Sequence, residues 1–563
     1  MRRPLETRPR RVPGTVQRPL AAALAATLAL PIVVGAQGGR EWTTAGFDAQ
    51  RTNWVRSDVR ISRTSIEDGT FKLLWKHQYP GDPRQLESLT QPVLLDFLVG
   101  YRGFKSLAFF GGANDVLFSI DTDLAKPYWT ADLTYAAATG SELGSTWRCP
   151  GGLVAAPSRR TPLAPTSFGG GGGGGGGRAT SAVGEPGKGA AALSQTRRPR
   201  PQGPVGDVPP PPAGPARRAP NTPFGGVDPL YAMGSDGLLR TLRVTDGQPF
   251  EPPVPFIPPG ARPSSLIWVD GLVYTATSNG CGNAPNAVWA LDLLADKKTV
   301  AKWETGGANI AGGTAPTIGT SGIVYAATGA QPPATRTWLP PGPPGHPNAV
   351  VALERVSLKL QDWITVDGAD FNTAPVVFRH KGKDLLAVTG NDHKLYLLDG
   401  AALGGADHKT PLYVSPPAEA PVGAPGLATW QDADGTRWIL VPKGNAIVGA
   451  KLVDTGGKLS VEKVWESRQI DAPLAPIVVN GLVFAAASGE YRGPESDLPA
   501  AERAKRSKPA VLYALDPATG KDIWSSGTAI TSFARAGLAA GGGQLYLVTY
   551  DNTFYAFGIP LEH

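Results

Sequence analysis

The chain has 563 residues, among them 71 Gly and 55 Pro, and amphipathic helical periods are almost missing after residue 40, so a helical bundle is excluded and an all-β fold is favoured. The formal charge of +7 is carried by two stretches, residues 1–36 at net +5 and residues 159–218 at net +7, which leaves −5 for the rest. A mildly acidic body gives no reason to expect nucleic acid as a partner, and two cysteines with six histidines make no zinc-spaced ligand cluster.

Residues 1–36 read as a secretory signal. Six arginines form a basic start, Leu20 to Val34 is an apolar run, and Val34-Gly35-Ala36 is a small-residue cleavage site before Gln37. An uncleaved anchor is the alternative, although the run is short for a bilayer span. No other segment is long and apolar enough to span a membrane, so the mature chain is expected in the periplasm or outside the cell, as a monomer. In an exported protein, Cys149 and Cys281 suggest a disulfide between neighbouring repeats; two free buried thiols are the alternative.

Self-similarity begins near residue 90. The first repeat has Thr90-Gln91-Pro92-Val93, a strand Val116–Asp121, and Trp129 eight residues after Asp121. The second starts near Thr161 and resumes at Leu230–Leu238. Between its parts, residues 167–226 hold nine consecutive glycines and Pro/Arg-rich text, which cannot bury enough apolar surface to offset ordering entropy. This divides the chain into a signal (1–36), a first propeller part (37–166), a disordered insertion (167–226) and the remaining propeller (227–563). Repeats three to six follow, with Trp303 in the third, Trp363 in the fourth and Trp465 in the sixth. Residues 329–348 and 488–509 are smaller insertions.

The seventh repeat carries the clearest phrase, Val511-Leu512-Tyr513-Ala514-Leu515-Asp516-Pro517-Ala518-Thr519-Gly520-Lys521-Asp522-Ile523-Trp524. A strand apolar on both faces runs into a turn in which Pro presets φ, Gly takes a conformation closed to other residues, and Asp and Thr cap backbone donors. An eighth repeat, from Gly537 to Phe557, lacks its outer strand and Trp; Phe71-Lys72-Leu73-Leu74-Trp75 supplies both. The expected fold is therefore one eight-bladed β-propeller of four-stranded antiparallel blades, closed by the N-terminal strand completing the last blade.

The phrase at Ala514, Asp516, Thr519, Gly520 and Trp524 resembles the PQQ-type propeller repeat of quinoprotein dehydrogenases, and Trp42–Trp54 resembles the lead into that family's first repeat. The resemblance implies that Trp75, Trp129, Trp303, Trp363, Trp465 and Trp524 fill blade seams. For catalytic members it implies a quinone sandwiched in the central funnel, a calcium ion acting as Lewis acid, and an Asp base. This chain has no adjacent cysteines, and no carboxylate in Gly345-His346-Pro347-Asn348-Ala349, where the family places its base. No catalytic residue is therefore assigned. Asn391 is the nearest match for the quinone contact, with Lys394 as a substitute if the register slips; Asp370 and Asn372, polar residues ahead of the fifth blade, are the candidates for calcium, with turn-capping as their alternative role. Trp268, Trp289, Trp338, Trp430 and Trp438 are less regular and are the candidates for stacking on a ligand.

Three functions follow. The first is an exported scaffold that binds a small molecule or a protein without chemistry of its own. The second is a PQQ- and calcium-dependent alcohol or sugar dehydrogenase with a degenerate site. The third is an assembly scaffold for membrane-protein clients.

Overall fold

The structure is a computed structural model. It describes residues 41–560 except 57, 59, 81–88, 101–102, 113, 134–148, 164–228, 332–344, 423–424 and 494–497. The expected signal and the Gly/Pro/Arg insertion lie outside the described residues.

Eight sheets follow one another along the chain. Blade 1 shows the plan: Val93–Gly100, Gly103–Gly111, Val116–Asp121 and Lys126–Asp132, each antiparallel to the next. Blades 3 to 6 span Arg262–Glu304, Thr317–Thr365, Val376–Val414 and Ala428–Glu466 on the same plan. Blade 2 is the slightest, with Leu230–Met233, Leu238–Leu242 and Val254–Pro255, and only a Ser158–Tyr231 bridge where an inner strand belongs. Middle strands such as Leu482–Ala487 of blade 7 are buried along their whole length. They are covered on both faces by neighbouring sheets, which is why they read as unbroken apolar runs.

Lys72–Gln78 pairs antiparallel with Thr553–Gly558 and is the outer strand of blade 8, after Ala539–Gly541 and Gln544–Val548. The ring is closed as the sequence implies. Phe71 packs edge-on to Trp524 at 4.9 Å, and Trp75 stacks on Phe554 at 5.6 Å.

The recurring turn does what its residues dictate. Asp516 Oδ1 accepts from the Ala518 and Thr519 amides and the Thr519 hydroxyl, and Gly520 sits at φ +68°. The Trp of one blade lands on the Gly of the next. Trp465 donates to Pro517 O at 2.8 Å and lies on Gly520, while Trp129 donates to Val244 O and lies on Gly247. Trp363 stacks on His408 at 3.9 Å. Trp303 packs against a buried cluster that includes Leu358 of blade 4. Cys149 and Cys281 form a disulfide with Cα atoms 5.5 Å apart.

One feature has no counterpart in the repeat pattern. Residues 42–56 and Asp58 pass inside the ring and bond to every blade in turn. The carbonyls of Trp42 and Thr43 accept from Leu94 N–H in blade 1 and Arg159 N–H beside the Ser158 bridge of blade 2, and Thr44 Oγ1 donates to Leu266 O at the start of blade 3. Ala49, Gln50, Thr52 and Asn53 carbonyls accept from Ile318, Val377, Thr429 and Val478 in blades 4 to 7. Asp58 Oδ2 accepts from Gly543 N–H in blade 8. Trp54–Val55 also pairs in parallel with Ile477–Val479, giving blade 7 a fifth strand. This segment is a hub, and its amide groups replace the water that would otherwise solvate the inner strand edges.

Candidate functional site in the central cavity

The hub closes one end of a central cavity of about 610 Å³. The residues that line the cavity precede the hub-bonded residues on each inner strand: Thr90 before Leu94, Thr314 before Ile318, Asn372 before Val377, Ala475 before Val478. Gly46, Arg51 and Asn53 of the hub face it from below. Its volume lies in the range of small-molecule sites.

The charge of the lining is one-sided. Five arginines contribute (Arg51, Arg262, Arg492, Arg503 and Arg535) against one carboxylate, Glu490, and no aromatic ring lines the cavity among the described residues. Arg51 is occupied by the hub: Nη1 donates to Thr44 Oγ1 at 2.7 Å, and Nε and Nη2 donate to Pro316 O at 3.3 Å. Burial pushes its guanidinium down to about 9, with Asp48 opposing.

Glu490 and Arg492 belong to the insertion of blade 7, and its fold fixes them. Gly489 sits at φ +71° with no room for a Cβ beside Lys508 O. Lys508 N–H donates to Gly489 O, and Arg503, on the helix Ala500–Arg506, donates to Tyr491 O at 2.8 Å. The buried Glu490 carboxylate is left between two guanidinium groups, 3.3 Å from Arg492 Nε and 3.8 Å from Arg535 Nη1.

The structure brings three of the four sequence-nominated site residues together. Asn391 Nδ2 donates to Asp370 Oδ2 at 2.7 Å, and Asn372 Nδ2 donates to Asn391 Oδ1 at 3.0 Å. Asp370 Oδ1 also accepts from Ala330 N–H, and Asn372 Oδ1 from the Thr389 hydroxyl. Lys394 stands apart from that chain, with Nζ 3.3 Å from Asp392. Of the four, only Asn372 lines the cavity. Trp268, Trp289, Trp430 and Trp438 are buried between blades and do not line it; Trp268 stacks on Tyr231 and Trp430 on Trp438. Trp338 lies outside the described residues.

A calcium ion takes six to eight oxygen ligands, several of them carboxylate. Asp370 and Asn372 offer one carboxylate and one amide, both committed to hydrogen bonds, and no group of three or more His, Cys, Asp or Glu is placed to hold a metal among the described residues. With no ring in the lining to stack on a quinone, the residues present do not fit a quinone–calcium pair.

The arginines had no sequence motif to announce them. Arg262 and Arg535 sit in the leads into blades 3 and 8, and Glu490 and Arg492 in an insertion. Charge in the blade-leading segments is a signal that points to Arg262 and Arg535, whereas Arg492 and Arg503 lie in the blade 7 insertion.

No protein-family model matches the sequence, and no curated protein sequence matches it. Solved structures do match. The quinohemoprotein alcohol dehydrogenase from Comamonas testosteroni is 12% identical with a TM-score of 0.54, over 93% of this chain and 81% of that one. A europium-containing methanol dehydrogenase is 11% identical with a TM-score of 0.54, over 92% and 98%. The quinohemoprotein alcohol dehydrogenase ADHIIG from Pseudomonas putida HK5 is 10% identical with a TM-score of 0.50, over 93% and 81%. The class defined here is the closed eight-bladed β-propeller with a ligand-sized central cavity. More narrowly, the fold is the PQQ-type propeller of quinoprotein dehydrogenases; at these identities the likeness is one of fold.

Proposed function

We propose that this chain is an exported binding propeller that holds a small molecule in its central cavity and carries out no chemistry on it. The observation behind this reading is the cavity lining. Among the described residues, four arginines beyond the hub's own, one carboxylate already paired with two of them, and no ring make a set of hydrogen-bond donors without a general base. Such a set recognises; it does not abstract a proton.

The second reading is a PQQ-dependent dehydrogenase with a degenerate site, for which the sequence nominates Asn391 and Lys394 toward the quinone and Asp370 and Asn372 toward calcium. The fold favours keeping it; of these four residues Asn372 alone lines the cavity. Purified protein titrated with PQQ and calcium separates the two. A saturable shift of the quinone absorbance together with reduction of an artificial dye acceptor would establish the second and refute the first. Ligand binding by calorimetry without dye reduction is the outcome expected here. Export is tested by determining the N-terminal residue of the mature protein, expected near Gln37.

A further inference from the structure

We propose that the underside of the hub, on the far side from the central cavity, holds a small inorganic oxyanion of the phosphate or sulfate type between Arg56 of the hub and Arg437 of blade 6, as a counter-ion that ties the two together. The site stands apart from the cavity and from the binding-propeller reading. Inner strands run from the cavity to the hub and on beyond it. In blade 6, Pro425 and Leu427 line the cavity, Thr429 bonds to the hub, and Gln431, paired with Arg437, lies past it. None of Trp54, Arg56, Phe378 and Arg437 lines the cavity.

One ring brings the two guanidinium groups together. Arg56 lies 4.4 Å from the centroid of Trp54 and Arg437 lies 5.7 Å from it; Arg437 is also 5.3 Å from Phe378 of blade 5. Arg437 makes a single long hydrogen bond, from Nη2 to Arg379 O at 3.4 Å, and its Nε is buried without an acceptor. Burial pushes its guanidinium down to about 10, and Arg56, of like charge, adds to the effect. Burial lowers Arg56 as well, with Asp48 opposing.

Asp48 cannot neutralise this group. It stands 3.7 Å from Arg56 Nη2, and its oxygens already accept from the Thr52 amide and hydroxyl. It is also the carboxylate that acts on buried Arg51. Among the described residues, Asp48 is therefore the one carboxylate set against Arg51, Arg56 and Arg437 together. Arg51 is compensated by oxygen acceptors of the hub and blade 4, but Arg437 has no such set. Buried charges are ordinarily paired, so a guanidinium left beside another of the same sign calls for an anion. Arg56 keeps 23% of its side chain exposed, which leaves a way in from solvent. A guanidinium presents a planar fork of donors that matches two oxygens of a phosphate or sulfate, whereas chloride offers one atom.

The test is isothermal titration calorimetry on the full purified chain with inorganic phosphate and with sulfate, against chloride at equal ionic strength. The expected result is saturable 1:1 binding of phosphate or sulfate with a Kd of about 1 mM or tighter, and none of chloride. The same anion at about 20 mM should raise the unfolding midpoint by about 1–2 °C. Arg437→Met and Arg56→Gln are each expected to weaken binding about tenfold or more, the loss of one charge-assisted contact. Without anion, Arg437→Met should keep or raise the unfolding midpoint, because it removes an unpaired buried charge, so lost binding is read on a folded protein. Arg56→Gln serves if that variant does not fold. Arg468→Gln removes the same charge after the outer strand of blade 6, where Arg468 pairs with Asp522, and should leave binding unchanged. Failure of both oxyanions to bind below about 10 mM overturns the inference, as does chloride binding of equal strength. So does binding that neither Arg437→Met nor Arg56→Gln weakens, which would place the anion elsewhere, or that Arg468→Gln weakens as much.

Discussion

The seam between blades 6 and 7 permits a quantitative test of how the ring is held together. Trp465 is clamped between two glycines: a Cβ on Gly449 of its own sheet would lie 2.1 Å from the ring, and one on Gly520 of the next blade 2.3 Å from it. Contacts that short do not occur, so either alanine must push the indole out of its slot and break its bond to Pro517 O. Overpacking of this kind costs about 1–3 kcal/mol. Gly520→Ala adds the cost of a left-handed backbone at φ +68°, about 1–2 kcal/mol. The expected losses are roughly 1–3 kcal/mol for Gly449→Ala and 2–5 kcal/mol for Gly520→Ala. Trp465→Ala empties the slot at a cost of about 3–5 kcal/mol. In that background Gly449→Ala should become nearly neutral, and Gly520→Ala should retain only its backbone part, about 1–2 kcal/mol. Urea unfolding followed by far-ultraviolet circular dichroism reads all five variants. If either glycine substitution costs as much without the indole as with it, the clamp is not what fixes those glycines.

Other consequences are open to equally direct measurement. Asp96 is pushed up to about 8 by burial, with Glu41, Asp58 and Asp123 adding to the effect and Arg159 opposing it. Because the folded state holds that proton more tightly than the unfolded chain, the site is neutral for stability below about pH 4, lowers stability progressively from pH 4 to 8, and lowers it fully above that. Asp96→Asn should thus stabilise the protein at pH 8–9 by on the order of 2 kcal/mol, given some remaining contact with solvent, and change nothing at pH 4; an equal effect at both pH values would refute the assignment. The Cys149–Cys281 disulfide joins residues 132 apart, so its reduction should cost about 4–5 kcal/mol, read as a lower unfolding midpoint with reductant or in the double serine variant. Arg51→Met removes the donors to Thr44 Oγ1 and Pro316 O and should cost about 1–3 kcal/mol in the same assay. Deleting residues 42–58 should abolish cooperative unfolding, and a truncated chain that still melts in one sharp transition would show that the hub is dispensable.

Much of the ring was legible because its physics is local and repeated. Asp516, Thr519 and Gly520 form their turn with bonds inside five residues, and Leu482–Ala487 is apolar on both faces because sheets cover both. The closing strand could be read from two incomplete patterns, a missing outer Trp after Phe557 and an extra Trp75 near the start. The hub could not. Thr43, Gln50 and Thr52 look like ordinary polar linker residues, and their partners outside the hub lie between 113 and 377 residues away. The cavity was hidden for the same reason. Arg262, Arg492 and Arg535 are separated in sequence by hundreds or tens of residues and share no motif, so only the closed ring sets them around one space. Asn391 was visible through the family resemblance and Asp370 and Asn372 as polar residues ahead of a strand, and what the fold makes of them is a set of amide and carboxylate groups that satisfy one another.

The hub also sets an order of events. The stretch that leaves the ribosome ahead of every blade is the one whose docking positions are finished only when Gly543 and its sheet exist, about 500 residues later. A partly synthesised or clipped chain therefore has neither axle nor rim, and its inner strand edges stay open to other chains. Completion of the wheel is a length check: the axle seats only in a product whose last sheet has been made.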